Sequence, residues 1–314
     1  MGGGIRLELI EESTQLARAL PRDCSPGAGA SEIDQVSLAT AAVTIGRFRC
    51  STLHPSFRDT GPIRQAVVVF PRTSVWIQHE GARRFVADPS VVTIYNRGQR
   101  YERFPISAAG DDCDWFAVSD AVAREIAGSC DAAAAGDAER PFAHARAQST
   151  AALYARQRSL VARLAAGRVS AFEAEETVLA IVADVIRLAQ LGRPSRPAAH
   201  GEGAERRRDL AEAARAELAR SATENRSVSE LAGALGTSPF HLCRVFRDQV
   251  GLTMHAYRVG LRVRAAIGAL ATPSRARTLS QVAHAAGFAS HAHFVRICRR
   301  ELGVTPAVLR ERLG

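Results

Sequence analysis

The chain has 314 residues, 46% of them hydrophobic, enough for two domains of ordinary size with a core each. No run approaches the length of a membrane span, and the N-terminus has no basic stretch leading into an apolar one, so a cytoplasmic location without membrane contact is expected. All 41 basic side chains are arginine; residues 201–314 carry 18 of them against 10 Asp and Glu, whereas the rest of the chain carries 23 against 22, so a polyanion partner is expected for the last third alone.

In chain order, residues 1–35 read as an N-terminal extension. Between about 36 and 118, short runs such as "QAVVVF", "SVWIQ", "RRFVA", "SVVTIY" and "DWFAV" alternate with Pro, Gly, Asp and Asn, the pattern of an antiparallel sandwich or barrel. From about 120 to 191 the texture is Ala-rich and helical. Val178, Ile181, Val182, Val185 and Leu188 form one helical stripe, which can pack on the chain's own barrel or on a second subunit; a homodimer is favoured. Residues 192–205, rich in Pro, Gly and charge, read as a linker. The whole is an α+β chain whose domains are 36–191 and 206–314.

The last domain contains a duplication. "SVSELAGALGTSPFHLCRVFRDQVGLT" (227–253) and "TLSQVAHAAGFASHAHFVRICRRELGVT" (278–305) share one framework. Ser227 with Glu230, and Thr278 with Gln281, predict capping boxes. Gly236 and Gly287 end the first helix of each copy, where a left-handed residue is needed. The second helices repeat an apolar stripe: Leu242, Val245, Phe246, Val250 against Phe294, Ile297, Cys298, Leu302. Each copy is a helix-turn-helix unit, spanning about 228–251 and 279–303, and residues 253–271 predict one helix between them.

Off the stripe stand Phe240, His241, Cys243, Arg244 and Arg247 in the first copy, and His291, Ala292, Val295, Arg296 and Arg299 in the second. Early turns of such helices face base edges, where arginine forks onto guanine and apolar groups meet the thymine methyl. Later arginines suit phosphates. An arginine-rich helix face is more often merely solvated, but a duplicated one in the only strongly basic region points to double-stranded DNA.

Residues 206–314 resemble the DNA-binding domain of the AraC/XylS family of bacterial transcription regulators. The likeness is carried by "SVSELAGALGTSPFHLCRVFRDQVG" and by "LSQVAHAAGFASHAHFVRICRRELGVTPAVLR". It implies a cupin-like, effector-sensing and dimerising domain over 36–191, a small-molecule effector, contact with RNA polymerase, and most often activation. Trp76, Tyr101, Arg103 and Trp115 are the candidates to line an effector pocket at the barrel mouth. An enzyme is not expected: there are no clustered metal ligands on the strands and no nucleophile elbow, P-loop or dinucleotide fingerprint, so no catalytic residue, metal or cofactor is assigned. The alternative kept open is a thiol-redox or metal-responsive regulator using Cys50, Cys113 or Cys130.

Overall fold

The computed structural model describes residues 33–130, 139–192, 201–272 and 277–313. Cys24, nearly all of the N-terminal extension and the middle of the expected linker (193–200) lie outside them. Eight strands run β1 Asp34–Ala39, β2 Val43–Cys50, β3 Ala66–Pro71, β4 Val75–His79, β5 Phe85–Ala87, β6 Val91–Tyr95, β7 Tyr101–Pro105 and β8 Asp111–Val118. All pairings are antiparallel, in a six-stranded sheet ordered β1-β2-β8-β3-β6-β9 and a three-stranded sheet ordered β5-β4-β7. The ninth strand, β9 Arg146–Gln148, corrects the helical reading of 120–191. It pairs along Val91–Thr93 at the sheet edge, a tertiary pairing that overrides the local Ala-rich propensity.

The large sheet is buried on both faces. One side, with Val75, Ile77 and Phe85 from the small sheet, Phe57 from a short 3-10 turn, and Tyr95 and Ala117, fills the space between the sheets. The other, with Ile45, Val68, Phe70, Ile94 and Phe116, is covered by α1 Asp120–Cys130, α2 Ala151–Ala165 and α3 Ala171–Leu191. That settles the open stripe: Val178, Ile181, Val182 and Val185 are all 0% exposed against this sheet, so α3 spends its apolar face inside its own chain. Glycine at position 46 is dictated by packing, because a Cβ there would lie 2.2 Å from the indole of Trp115.

Helix α4, Glu202–Arg220, begins inside the segment read as linker. Glu202 and Glu205 in its first turn complement the helix dipole, which a composition-based reading of Gly and charge overlooks. After it come α5 Val228–Ala234, α6 Pro239–Val250, α7 Met254–Leu270, α8 Leu279–Ala285, α9 His291–Leu302 and α10 Pro306–Leu313. Two separate cores form here. Leu218, Leu231, Leu242, Phe246, Met254 and Tyr257 make one; Val263, Ile267, Val282, Phe288, Phe294, Cys298 and Leu309 make the other. Helix α7 runs through both, giving its first turns to one core and its later turns to the other.

Candidate nucleic-acid interface

Each helix-turn-helix unit is built from the same local parts. Both capping boxes are formed: Ser227 Oγ accepts from the Glu230 N–H while the Glu230 carboxylate accepts from the Ser227 N–H, and Thr278 with Gln281 repeats the exchange. Ser238 and Ser290 cap α6 and α9 by accepting from His241 N–H and His293 N–H. The turn glycines have φ of +63° at Gly236 and +86° at Gly287, and Gly251 and Gly303 close the second helices at +78° and +71°. The stripe residues Leu242, Phe246, Phe294 and Cys298 are 0% exposed. Burial in that core pushes the Cys298 thiol up to about 12, so it remains a neutral filler.

With the stripe fixed inward, the other faces point out. Phe240, Cys243, Arg244 and Arg247 on α6 are exposed and His241 is half-buried. On α9, His291, Ala292, Arg296 and Arg299 are exposed and Val295 is half-buried. Phe240 leaves 78% of its surface open. Among the described residues no carboxylate ion-pairs with Arg244, Arg247, Arg296 or Arg299, whereas many other arginines of the chain are paired. Solvated guanidiniums without acids are free to meet phosphates or guanine edges. His293 is turned inward instead, edge-on to Phe288 at 5.6 Å, where burial and then Arg296 hold its pKa below the usual value.

The spacing between the two faces comes from α7. Its 17 residues span about 26 Å at the standard rise, the scale needed to set two helices into major grooves about 34 Å apart. Arg262, in the middle of α7, fixes the helix from the side by donating to the Ala222 and Glu224 carbonyls and the Asn225 side chain.

The four candidate effector residues do not converge. Tyr101, Arg103 and Trp115 face the space between the sheets, where they pack beside Phe48, Phe57 and Tyr95. Arg103, 1% exposed, lies 4.3 Å from the Phe48 ring centre and donates to Asp111 at 3.1 Å and Thr60 at 3.2 Å. Trp115 donates its indole N–H to Asp34 at 2.7 Å. Trp76 is on the other face of its strand, because side chains alternate; it packs with Val86, Ile106 and Ala216 of α4 under the Arg84 guanidinium. Of the candidate cysteines, Cys50 and Cys113 are buried and Cys130 half-buried. Burial raises the pKa of Cys50 and Cys113 and so opposes the thiolate that redox chemistry needs. Among the described residues no His, Cys, Asp or Glu cluster could hold a metal ion, and no helix is long and apolar enough to cross a membrane.

A set of residues joining the two domains was missed. Asp88, 0% exposed, accepts from the Tyr257 hydroxyl of α7 and lies 3.5 Å from Arg215 of α4. Glu212 of α4 accepts from the Val86 N–H at 2.8 Å and from Arg146 at 2.9 Å. Burial alone would raise the Glu212 pKa, but Arg215 and Arg146 hold it below the usual value. The one signal available in sequence was the presence of Tyr257, Arg262 and Arg264 on a helix whose remaining face is apolar.

Residues 231–312 match the family model described as a helix-turn-helix domain. No curated protein matches the chain. Among solved structures, fatty-acid-bound ToxT from Vibrio cholerae is 12% identical over 88% of this chain and 97% of that one, with a TM-score of 0.36. A regulator with an AraC-type DNA-binding domain from Chromobacterium violaceum is 24% identical over 36% of this chain and 97% of that one, at 0.32. A DNA-binding transcriptional dual regulator from Escherichia coli K-12 is 18% identical over 33% and 96%, at 0.30. Residues 231–312 of this chain are thus similar to a helix-turn-helix domain.

Proposed function

We propose that this DNA-binding regulator reads a specific operator with α6 and α9 set in successive major grooves on one DNA face, and that it activates transcription in response to a small molecule sensed through its N-terminal domain. The observation that carries the reading is the pair of exposed, unpaired basic faces on two equally built frameworks, joined by a single helix of groove-spacing length. Arg244 and Arg296 take base edges; Arg247 and Arg299 take phosphates; Phe240, Cys243, Ala292 and Val295 offer apolar contacts to thymine methyls. His241 and His291 complete the two faces. Joining of two chains on paired half-sites and contact with RNA polymerase belong to the same reading.

Footprinting of genomic fragments captured by the full-length protein tests it. The expected result is protection of two adjacent major-groove segments per subunit, lost when either recognition face is altered. Diffuse protection that simply fades with salt would mean that the basic domain coats DNA without reading it. The thiol-responsive alternative gains no support from two buried, high-pKa cysteines.

A further inference from the structure

The two helix-turn-helix units touch each other beside α7. A Cβ at Gly287, in the turn of the second unit, would lie 2.8 Å from the Thr223 backbone and 2.9 Å from the Arg262 Nε. Arg262 is itself fastened to the loop between α4 and α5, through the Ala222 and Glu224 carbonyls and Asn225. Around this meeting point the chain places cation after cation. His255, Arg258 and Arg262 follow one another at i, i+3 and i+7 on one face of α7. His293, Arg296 and Arg300 repeat that spacing on α9. Arg226 adds a guanidinium from the loop ahead of α5.

These groups feel one another. After burial, the largest cause in each case, Arg226 lowers the pKa of Arg258, and Arg258 lowers that of Arg262. His293 is lowered by burial and then by Arg296, Arg262, His255 and Arg300. Few acids answer them. Glu217 accepts from Arg226 at 3.0 Å and Glu301 from Arg300 at 2.7 Å. Among the described residues no carboxylate ion-pairs with Arg258 or Arg296. Arg262 is buried at the floor of this seam, Arg226 and Arg258 are half-buried, and His255, Arg296 and Arg300 are exposed at its mouth. Arg296 also belongs to the outward face of α9, so the seam continues that face. Two helices in successive major grooves flank one minor groove, whose sugar-phosphate strands must cross the stretch between the units.

We propose that the seam between the two units takes a phosphate of the DNA strand bordering this intervening minor groove, with Arg226 and Arg258 as its ligands and His255 and Arg300 beside them. Guanidinium forks suit phosphate oxygens, and the half-buried setting strengthens each such bond over one in open water. Helix α7 then sets the spacing of the reading helices and also holds the duplex at its midpoint. The contact positions the DNA and carries no sequence information of its own. It rests on the regulator reading.

Duplex binding by the full-length protein, on a captured genomic fragment and on a random sequence, between about 50 and 200 mM salt, is the test. Arg258→Met removes the charge and keeps the aliphatic stem. Asn225→Asp keeps the acceptor for Arg262, so it spares the fold, and sets a negative charge at the mouth of the seam. Each should weaken both duplexes alike, by about fivefold at ~0.15 M salt, and lower the slope of log affinity against log salt by about 1. A captured fragment with neutral methylphosphonates between its two protected segments should lose the same factor with the unchanged protein and nothing more with Arg258→Met. Inorganic phosphate at matched ionic strength should compete no better than chloride. An unchanged slope in both variants, a loss confined to the captured sequence, full additivity of methylphosphonate and Arg258→Met, or competition by phosphate beyond that of chloride overturns the proposal. Duplex binding with none of the expected effects removes only the seam contact, whereas no duplex binding by the unchanged protein at any salt removes the regulator reading and the seam with it.

Discussion

The two helix-turn-helix units have the same caps, turns and stripes, yet they are attached to the rest of the molecule by different forces. The first is held through polar contacts: Tyr257 and Arg215 converge on Asp88, and Glu212 closes on the Val86 N–H and Arg146. The second is held mainly by apolar packing. Ala151 and Tyr154 of α2 enter its core beside Val263, Phe294 and Leu309, with Ser159 adding a bond to the Arg312 carbonyl at 2.7 Å. Helix α2 is in turn fixed to the sheet by Asp114, 0% exposed, which accepts from Gln157 at 2.7 Å and Arg158 at 2.8 Å as well as from Arg72. Charge pairs are directional and sensitive to salt, whereas apolar burial is non-directional.

The largest test of that difference is at Asp114. Asp114→Ala leaves the buried Arg158 guanidinium without its carboxylate and the half-buried Arg72 with only the more distant Asp112, and should cost about 3–5 kcal/mol in chemical unfolding of the full-length protein. The second unit, through α2, should lose protection from hydrogen exchange before the first; equal loss in both would erase the distinction. Next come the matched turn glycines. Gly236→Ala meets open space and costs only the left-handed backbone, about 1–2 kcal/mol. At Gly287 a Cβ would lie 2.8 Å from the Thr223 backbone, so Gly287→Ala should cost about 1–3 kcal/mol more. Equal melting temperatures for the pair would show that α8 does not press on the segment after α4. The smallest effect is on DNA. Arg244→Ala and Arg296→Ala should each remove about 1–3 kcal/mol of specific affinity if both units read bases. Losses of the same size on random duplex would reassign the arginine concerned to the phosphate backbone.

The helix-turn-helix domain was legible almost residue by residue. Its signals are local: a serine three residues before a glutamate, a glycine at a helix end and an apolar residue every third or fourth position act within a turn or two of helix, so sequence spacing alone fixes which faces are inward and which side chains are left outside. Five strands were legible as runs, because β-branched residues between turn formers define them; β1, β2 and β7 were not singled out, and the three-residue β9, made by pairing with β6, fell in the segment read as helical. What the sequence did not hold is everything decided by meetings between distant segments. Trp76 and Arg103 are on neighbouring strands, and strand alternation sends them to opposite sides, one to the domain boundary and the other between the sheets. The α3 stripe read equally well as a dimer face until the large sheet was found against it. Asp88 with Tyr257, 169 residues apart, and Arg264 with the Ser149 carbonyl, 115 residues apart, leave no periodic trace, because long-range electrostatic and packing partners are chosen by the tertiary arrangement and not by local spacing.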